Sequence, residues 1–356
     1  MSKELQKIQK QIGATFSSKF SVPDSFGNDS QALKAAQEKV ALWDRSHWGL
    51  IKVCDQERLR FIHNQSTNEI NQLKPGQGCE TVFVTSTGRN LDLVTVYVAE
   101  DSLLLLISPQ QREEMMKWLD RFLFPMDQVE LIDISEQYAI FTLIGPQSNT
   151  LVQNLGIENI GEGKEYTHQL TTIENIKLRL CVGTGLKIPG YTLIVPIQEA
   201  ANLWQQLINQ GTIPLGNDAW EQLRIFQGRP ISGQELTEDY NPLETGLWQH
   251  ISFNKGCYIG QETIARLNTY QGVKQRLWGV ISTAPVELGS EVIVAGKRVG
   301  KITSSTTTDQ GAFSLAYIRS KAGGAGLKVQ IGEVEGELID VPFLTHEYQQ
   351  SPQEKA

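Results

Sequence analysis

Cysteine is scarce in this chain: four thiols, Cys54, Cys79, Cys181 and Cys257, in 356 residues. None belongs to a C-x-x-C pair, and none stands near a histidine at zinc-site spacing. Neither a metal site nor a secreted disulfide framework is therefore expected. Long apolar runs are missing too. The longest, LLLLI at 103–107, has the length of a buried strand, well short of the roughly 20 residues of a membrane-spanning helix. Basic blocks are absent as well: 32 Lys and Arg against 40 Asp and Glu give a formal charge of -8. That argues against direct binding of duplex nucleic acid or of an anionic membrane, while leaving room for one small basic pocket. No G-x-G-x-x-G follows a strand pattern and no P-loop occurs, so nucleotide binding through those devices is unsupported. The opening MSKELQKIQKQIGATF has no apolar core of signal-peptide length. A reducing, cytoplasmic compartment is the expectation.

What is present is an ordinary globular composition, 40% hydrophobic and 20% charged, long enough for two or three domains. Helical spacing of apolar residues predicts helices over 31–44, 57–73, 109–124, 198–210 and 217–228, and another from about 261. Alternation predicts a strand over 49–55, and short, largely apolar runs read as strands over 102–108, 138–145, 176–183 and 191–197. Alternation also predicts a hairpin, CETVFVT and LDLVTVYV around the turn STGRN. Mixed elements with hairpins imply an α+β fold with largely antiparallel sheets. From about 275 the pattern changes to short strands between Gly-rich turns, the mark of a small all-β barrel. The expected organisation is a polar leading arm (1–30), an α+β body in two parts (31–150 and 151–270), the barrel (275–346) and a frayed polar tail (347–356).

One stretch concentrates chemistry: NKGCYIGQE, residues 254–262. Gly256 and Gly260 permit a tight turn around Cys257. A helix follows, and Lys255 stands two residues before the thiol. A helix N-terminus and an ammonium both favour a thiolate, which suits redox chemistry, a mixed disulfide or transient cluster contact. The competing reading is a small buried residue that fills a corner.

Taken in order, several stretches resemble the glycine-cleavage T-protein family. They are ALWDRSHWGL with its later TNEINQLKPG, then LIGPQS, NDAWEQLRIFQGRP, NPLETGL and NKGCYIGQE, covering roughly residues 30–346. The run KGCYIGQE (255–262) is similar to the hallmark of the YgfZ branch, folate-binding proteins that support iron–sulfur proteins, including radical enzymes of tRNA modification. The resemblance implies a multidomain fold around a central channel for tetrahydrofolate, with the barrel at its C-terminal end. It also implies client iron–sulfur proteins or their assembly machinery as partners. It nominates Cys257 as the functional thiol, with Lys255 beside it. Asp92, Tyr97, Arg224 and Trp248 are nominated as folate contacts. Tyr97 and Trp248 would be aromatic walls for the pterin. Arg224 matches the arginine of the family's R-L-E helix, where it would hold a carboxylate or tie the helix to the barrel. Two departures stand out. Asp92 matches the first of two adjacent aspartates, but Leu93 takes the place of the second, which assists one-carbon transfer. Thr192 takes the place of a pterin-contacting glutamate. Leucine cannot exchange a proton or balance a cationic iminium. Aminomethyl or other one-carbon transfer is therefore the alternative, not the leading expectation.

Overall fold

A computed structural model describes residues 2–18, 20–157, 164–308 and 311–349. The chain divides into two compact units. One comprises Met1–Leu59, Gln72–Glu80 and Thr95–Leu223; the other comprises Arg60–Asn71, Thr81–Val94 and Arg224–Ala356.

The first unit holds a six-stranded sheet in the order Ile213–Leu215, Ala41–Asp44, Tyr138–Ile144, Gly190–Pro196, Ile176–Val182, His168–Ile173. Its neighbours pair antiparallel except Ala41–Asp44 with Ile213–Leu215. Alternate side chains leave opposite faces of a strand. Tyr191, Leu193 and Val195 accordingly enter an apolar core with Phe141, Leu180 and Trp204, the last from helix Ala200–Asn209. A five-stranded sheet runs in the order Gly78–Val84, Asn90–Val98, Ser102–Ile107, Gly49–Cys54, Glu130–Asp133. In the second unit, six strands close a barrel: Gln275–Ser282, Gly311–Arg319, Lys297–Thr308, Glu291–Val294, Lys328–Ile331 and Val334–Ile339. Val280, Val292, Ile302, Ile318 and Leu338 form its apolar core. The α+β class and the terminal barrel are as the sequence implies.

Several local expectations are corrected. The helix predicted over 31–44 ends at Glu38, and Ala41–Asp44 is a strand. All four of its residues are buried between flanking strands, so tertiary pairing overrides the helical spacing. The helix predicted over 57–73 stops at Gln65. Ser66 Oγ there donates to the Ile62 carbonyl and Thr67 Oγ1 to that of His250, alternatives to continued helix. The leading arm contains a helix, Lys3–Gln11, capped by Ser2. Leu5 is fully buried, and Gln9 Nε2 donates to Asp44 Oδ2 at 2.8 Å, which ties this helix to its unit. The start of the tail is docked too: Gln349 and Asn268 exchange two hydrogen bonds of 3.0 Å. Residues 350–356 lie outside the described residues. Three short strands, Glu130–Asp133, His168–Ile173 and Ile213–Leu215, gave little signal because each is a sheet edge with a polar or very short run.

His168 carries a pH dependence. It is 3% exposed, accepts from Arg179 at Nδ1 (2.8 Å), and so directs an Nε2–H at the Gln77 carbonyl (3.2 Å). Burial first, and the Arg179 charge second, hold its pKa down at about 4. The folded state therefore resists a proton that the unfolded chain accepts near pH 6.5. The stabilisation is present above that value and lost as pH falls from about 6.5 to about 4. In the wild type the loss over this window should exceed that in His168→Gln by about 2 kcal/mol. Urea unfolding of both proteins at pH 7 and pH 4.5 checks this; equal pH slopes would refute it.

Candidate functional site

The KGCYIGQE stretch lies in the second unit as a loop stitched to residues 63–68. Ser252 N donates to the Thr67 carbonyl (3.0 Å), Thr67 Oγ1 to that of His250 (2.7 Å), and Ile259 N to that of Asn64 (3.1 Å). At the centre of this stitching is Lys255, 7% exposed. Its ammonium donates to the carbonyls of His63 (2.6 Å), Ser66 (2.7 Å) and Asn68 (2.7 Å). Three donors meet three acceptors just where helix Arg58–Gln65 ends, so a cation stands at the negative end of the helix dipole. The same ammonium lies 4.9 Å above the ring of Tyr258.

Gly260 closes the loop, and only glycine fits there. Its φ is +80°, and a Cβ would come within 2.6 Å of the Thr85 carbonyl oxygen. It caps the start of helix Gln261–Thr269. Gly256 faces His63: a Cβ on it would lie 3.8 Å from Nε2. His63 Nδ1 is 3.1 Å from Glu69 Oε1 and 3.3 Å from the amides of Ile70 and Asn71. Burial and then the Lys255 charge lower the pKa of this histidine, against the opposing pull of Glu69.

Cys257 itself is exposed, three residues before the helix cap. It does not fill a corner. It is a thiol held out from a loop whose backbone is pinned on both sides. Cys181 is the contrast: fully buried, with burial pushing its thiol up to about 12. Among the described residues no three of His, Cys, Asp and Glu converge as a metal site.

Each nominated folate contact has its own surroundings within its unit. Arg224, at 0% exposure, donates to Glu235 Oε2 (3.1 Å), Gln234 Oε1 (2.6 Å), Ser304 Oγ (2.8 Å) and the Arg229 carbonyl (3.4 Å). Ser304 lies on the barrel strand Lys297–Thr308 and Arg224 on helix Asn217–Gln227, so the guanidinium ties helix to barrel. Trp248 is 2% exposed and packs against Phe253 (6.3 Å, stacked) and Tyr348 (4.9 Å, edge-on). Its faces serve the core of its unit. Asp92 is fully buried, and its Oδ1 accepts from Leu93 N at 2.9 Å. Leu93 joins the same apolar core as Trp248. Tyr97 belongs to the first unit, 2% exposed and edge-on to His168 at 5.3 Å. Thr192, also in the first unit, spends its hydroxyl on the Gly183 carbonyl at 2.9 Å. Sequence reasoning missed His63 and the carbonyl cradle of Lys255; backbone acceptors leave no signature in side-chain pattern.

Residues 5–255 match the GCVT N-terminal domain. A chloroplastic protein of Arabidopsis thaliana, named only as a transferase, is 42% identical over 333 residues, 92% of this chain and 76% of that one. An aminomethyltransferase of Halalkalibacterium halodurans is 26% identical over 90% of each chain. The crystal structure of glycine cleavage system aminomethyltransferase T from Bartonella henselae superposes with a TM-score of 0.85 at 19% identity, covering 98% of this chain and 99% of that one. The fold is thus that of the aminomethyltransferases. By sequence, the chain belongs to the GCVT family.

Proposed function

We propose that this protein is a tetrahydrofolate-binding member of the family that supports iron–sulfur proteins, including tRNA-modifying radical enzymes, through the thiol of Cys257. The observation that carries the reading is the exposure of Cys257 on a loop anchored by a buried lysine. A thiol meant to meet another macromolecule has to be accessible, and a fixed backbone lowers the entropy lost on contact. One thiol cannot hold a cluster alone, since clusters take about four protein ligands. On this reading the cluster, or the oxidised thiol of a client, is shared transiently.

Aminomethyl transfer is the weaker alternative. The position of the family's second aspartate is held by Leu93, buried in apolar surroundings where no proton can be exchanged. For folate, Arg224 and Trp248 are engaged by their own unit. Asp92 is likewise buried, with Oδ1 accepting from Leu93 N; on this reading it is the carboxylate of this unit that meets the pterin edge.

Two measurements test the proposal. Calorimetry should detect tetrahydrofolate binding by the wild type and weaker binding by Asp92→Asn, which keeps the shape and removes the charge. In a strain lacking the gene, the activity of a cluster-dependent enzyme should fall. Wild type should restore it and Cys257→Ser should not. Full restoration by the serine variant would remove the thiol from the function.

A further inference from the structure

A cleft of about 310 Å³ opens in the first unit, away from the thiol loop in sequence and wholly within that unit. One wall is a cross-strand row on the six-stranded sheet: Leu170, Arg179 and Ile194 stand directly opposite one another on adjacent strands. The other wall comes from the five-stranded sheet, where Leu104 and Lys52 are paired opposite each other. Directly opposed residues of a sheet present side chains on one face, about 5 Å apart. Both rows line the cleft.

Arg179 is the unusual member. It is 8% exposed, so its charge is largely out of water. Its hydrogen bond of 2.8 Å goes to His168, a ring already bonded to a carbonyl on its far side and therefore neutral in this arrangement. Its carboxylate neighbour, Glu100, lies 3.7 Å away and is 71% exposed, too far for a hydrogen bond and well hydrated. A buried guanidinium ordinarily meets a close carboxylate or phosphate. Lys52 (3.7 Å from the 80% exposed Asp101) and Lys177 add positive charge around the same opening. The body of the cleft is apolar, and Leu170 stands 64% exposed at its mouth, on an edge strand whose other exposed residues are polar.

The geometry points to a second ligand site here, for a small monocarboxylate with an apolar body: the carboxylate meets Arg179 and the body lies between Ile194 and Leu104, covered by Leu170. The volume is at the lower end of ordinary ligand pockets, which limits the occupant to a short aliphatic or single-ring acid. The site does not depend on the folate or thiol reading.

Calorimetric titration with octanoate, octan-1-ol and inorganic phosphate tests it. Octanoate should bind saturably with a Kd below about 1 mM. The alcohol lacks the charge and phosphate lacks the apolar body, so each should bind at least about tenfold more weakly. Leu170→Glu places a like charge at the mouth on a surface position that folding does not need. It should weaken octanoate about tenfold more than it weakens octan-1-ol, since both lose the apolar cover and only the acid meets the like charge. Arg179→Met should abolish the preference for octanoate over the alcohol. Equal binding of acid and alcohol, phosphate binding as tightly as octanoate, no octanoate binding at millimolar concentration, or an unaltered Leu170→Glu would each overturn the assignment.

Discussion

Arg224→Met should cost about 3–5 kcal/mol of stability, the range seen when one partner of a buried charged pair is removed. Arg224 and Glu235 are both 0% exposed at the side chain and 3.1 Å apart. Deleting the arginine leaves the Glu235 carboxylate buried with Ser304 Oγ (2.5 Å) and Ile231 N (3.2 Å) as remaining donors, and leaves Gln234 Oε1 without its guanidinium partner. The cost therefore arises mainly from what is stranded. Adding Glu235→Gln removes the stranded charge, so the double variant should be more stable than Arg224→Met alone. Urea unfolding of wild type, single and double variants, followed by circular dichroism, checks the order. A single variant as stable as wild type, or a double variant less stable than the single, would refute the account. This also changes how ligand data are read. Loss of folate binding in an Arg224 variant would report a damaged helix–barrel junction, so it cannot identify Arg224 as a ligand contact.

Much of the architecture was legible because its signals are local. Alternation in the hairpin located Asn90–Val98, a short apolar run located Gly190–Pro196, and helical spacing located Ala200–Asn209 and Asn217–Gln227. Ala41–Asp44 was not legible, because its strand character comes from Thr142 and Leu215 on either side, distant in sequence. At Leu93 the sequence shows an apolar residue where the resembling family has a carboxylate, while its place in the apolar core emerges only from the fold. The thiol loop was half legible. Its glycines forecast a tight turn, and Gly260 bears that out with φ +80°. Lys255 read as an electrostatic neighbour of Cys257. The three short hydrogen bonds of its ammonium instead go to carbonyls of residues 63–68. Which way a long side chain turns is decided by acceptors brought near by tertiary folding, and no spacing in the chain encodes them. Arg224 shows the same limit, since Gln234, Glu235 and Ser304 converge on it only after the barrel is formed.

Lys255→Met should lower stability by about 3 kcal/mol and loosen the loop that presents Cys257. Each charge-assisted hydrogen bond contributes about 1.5–3 kcal/mol, and three carbonyls lose their donor together. Water entering the vacated space offsets part of the sum, which keeps the total below simple addition. Hydrogen exchange should accelerate in both 63–68 and 250–260, because the ammonium supplies three of the hydrogen bonds that join the two segments. The informative variant is Lys255→Arg. If Lys255 acted on the thiol by charge alone, arginine would preserve the reactivity of Cys257 toward a thiol reagent and the rescue of cluster-enzyme activity. If it acts by position, arginine must fail. Its planar fork cannot aim three donors at three carbonyls arranged around a point, and the wider head does not fit a site only 7% exposed. Failure of arginine, with exchange in 63–68 as fast as in the methionine variant, is the expected result. Arginine with wild-type exchange and wild-type rescue would return Lys255 to the electrostatic role. In that case the accessibility of Cys257 would owe nothing to the carbonyl cradle.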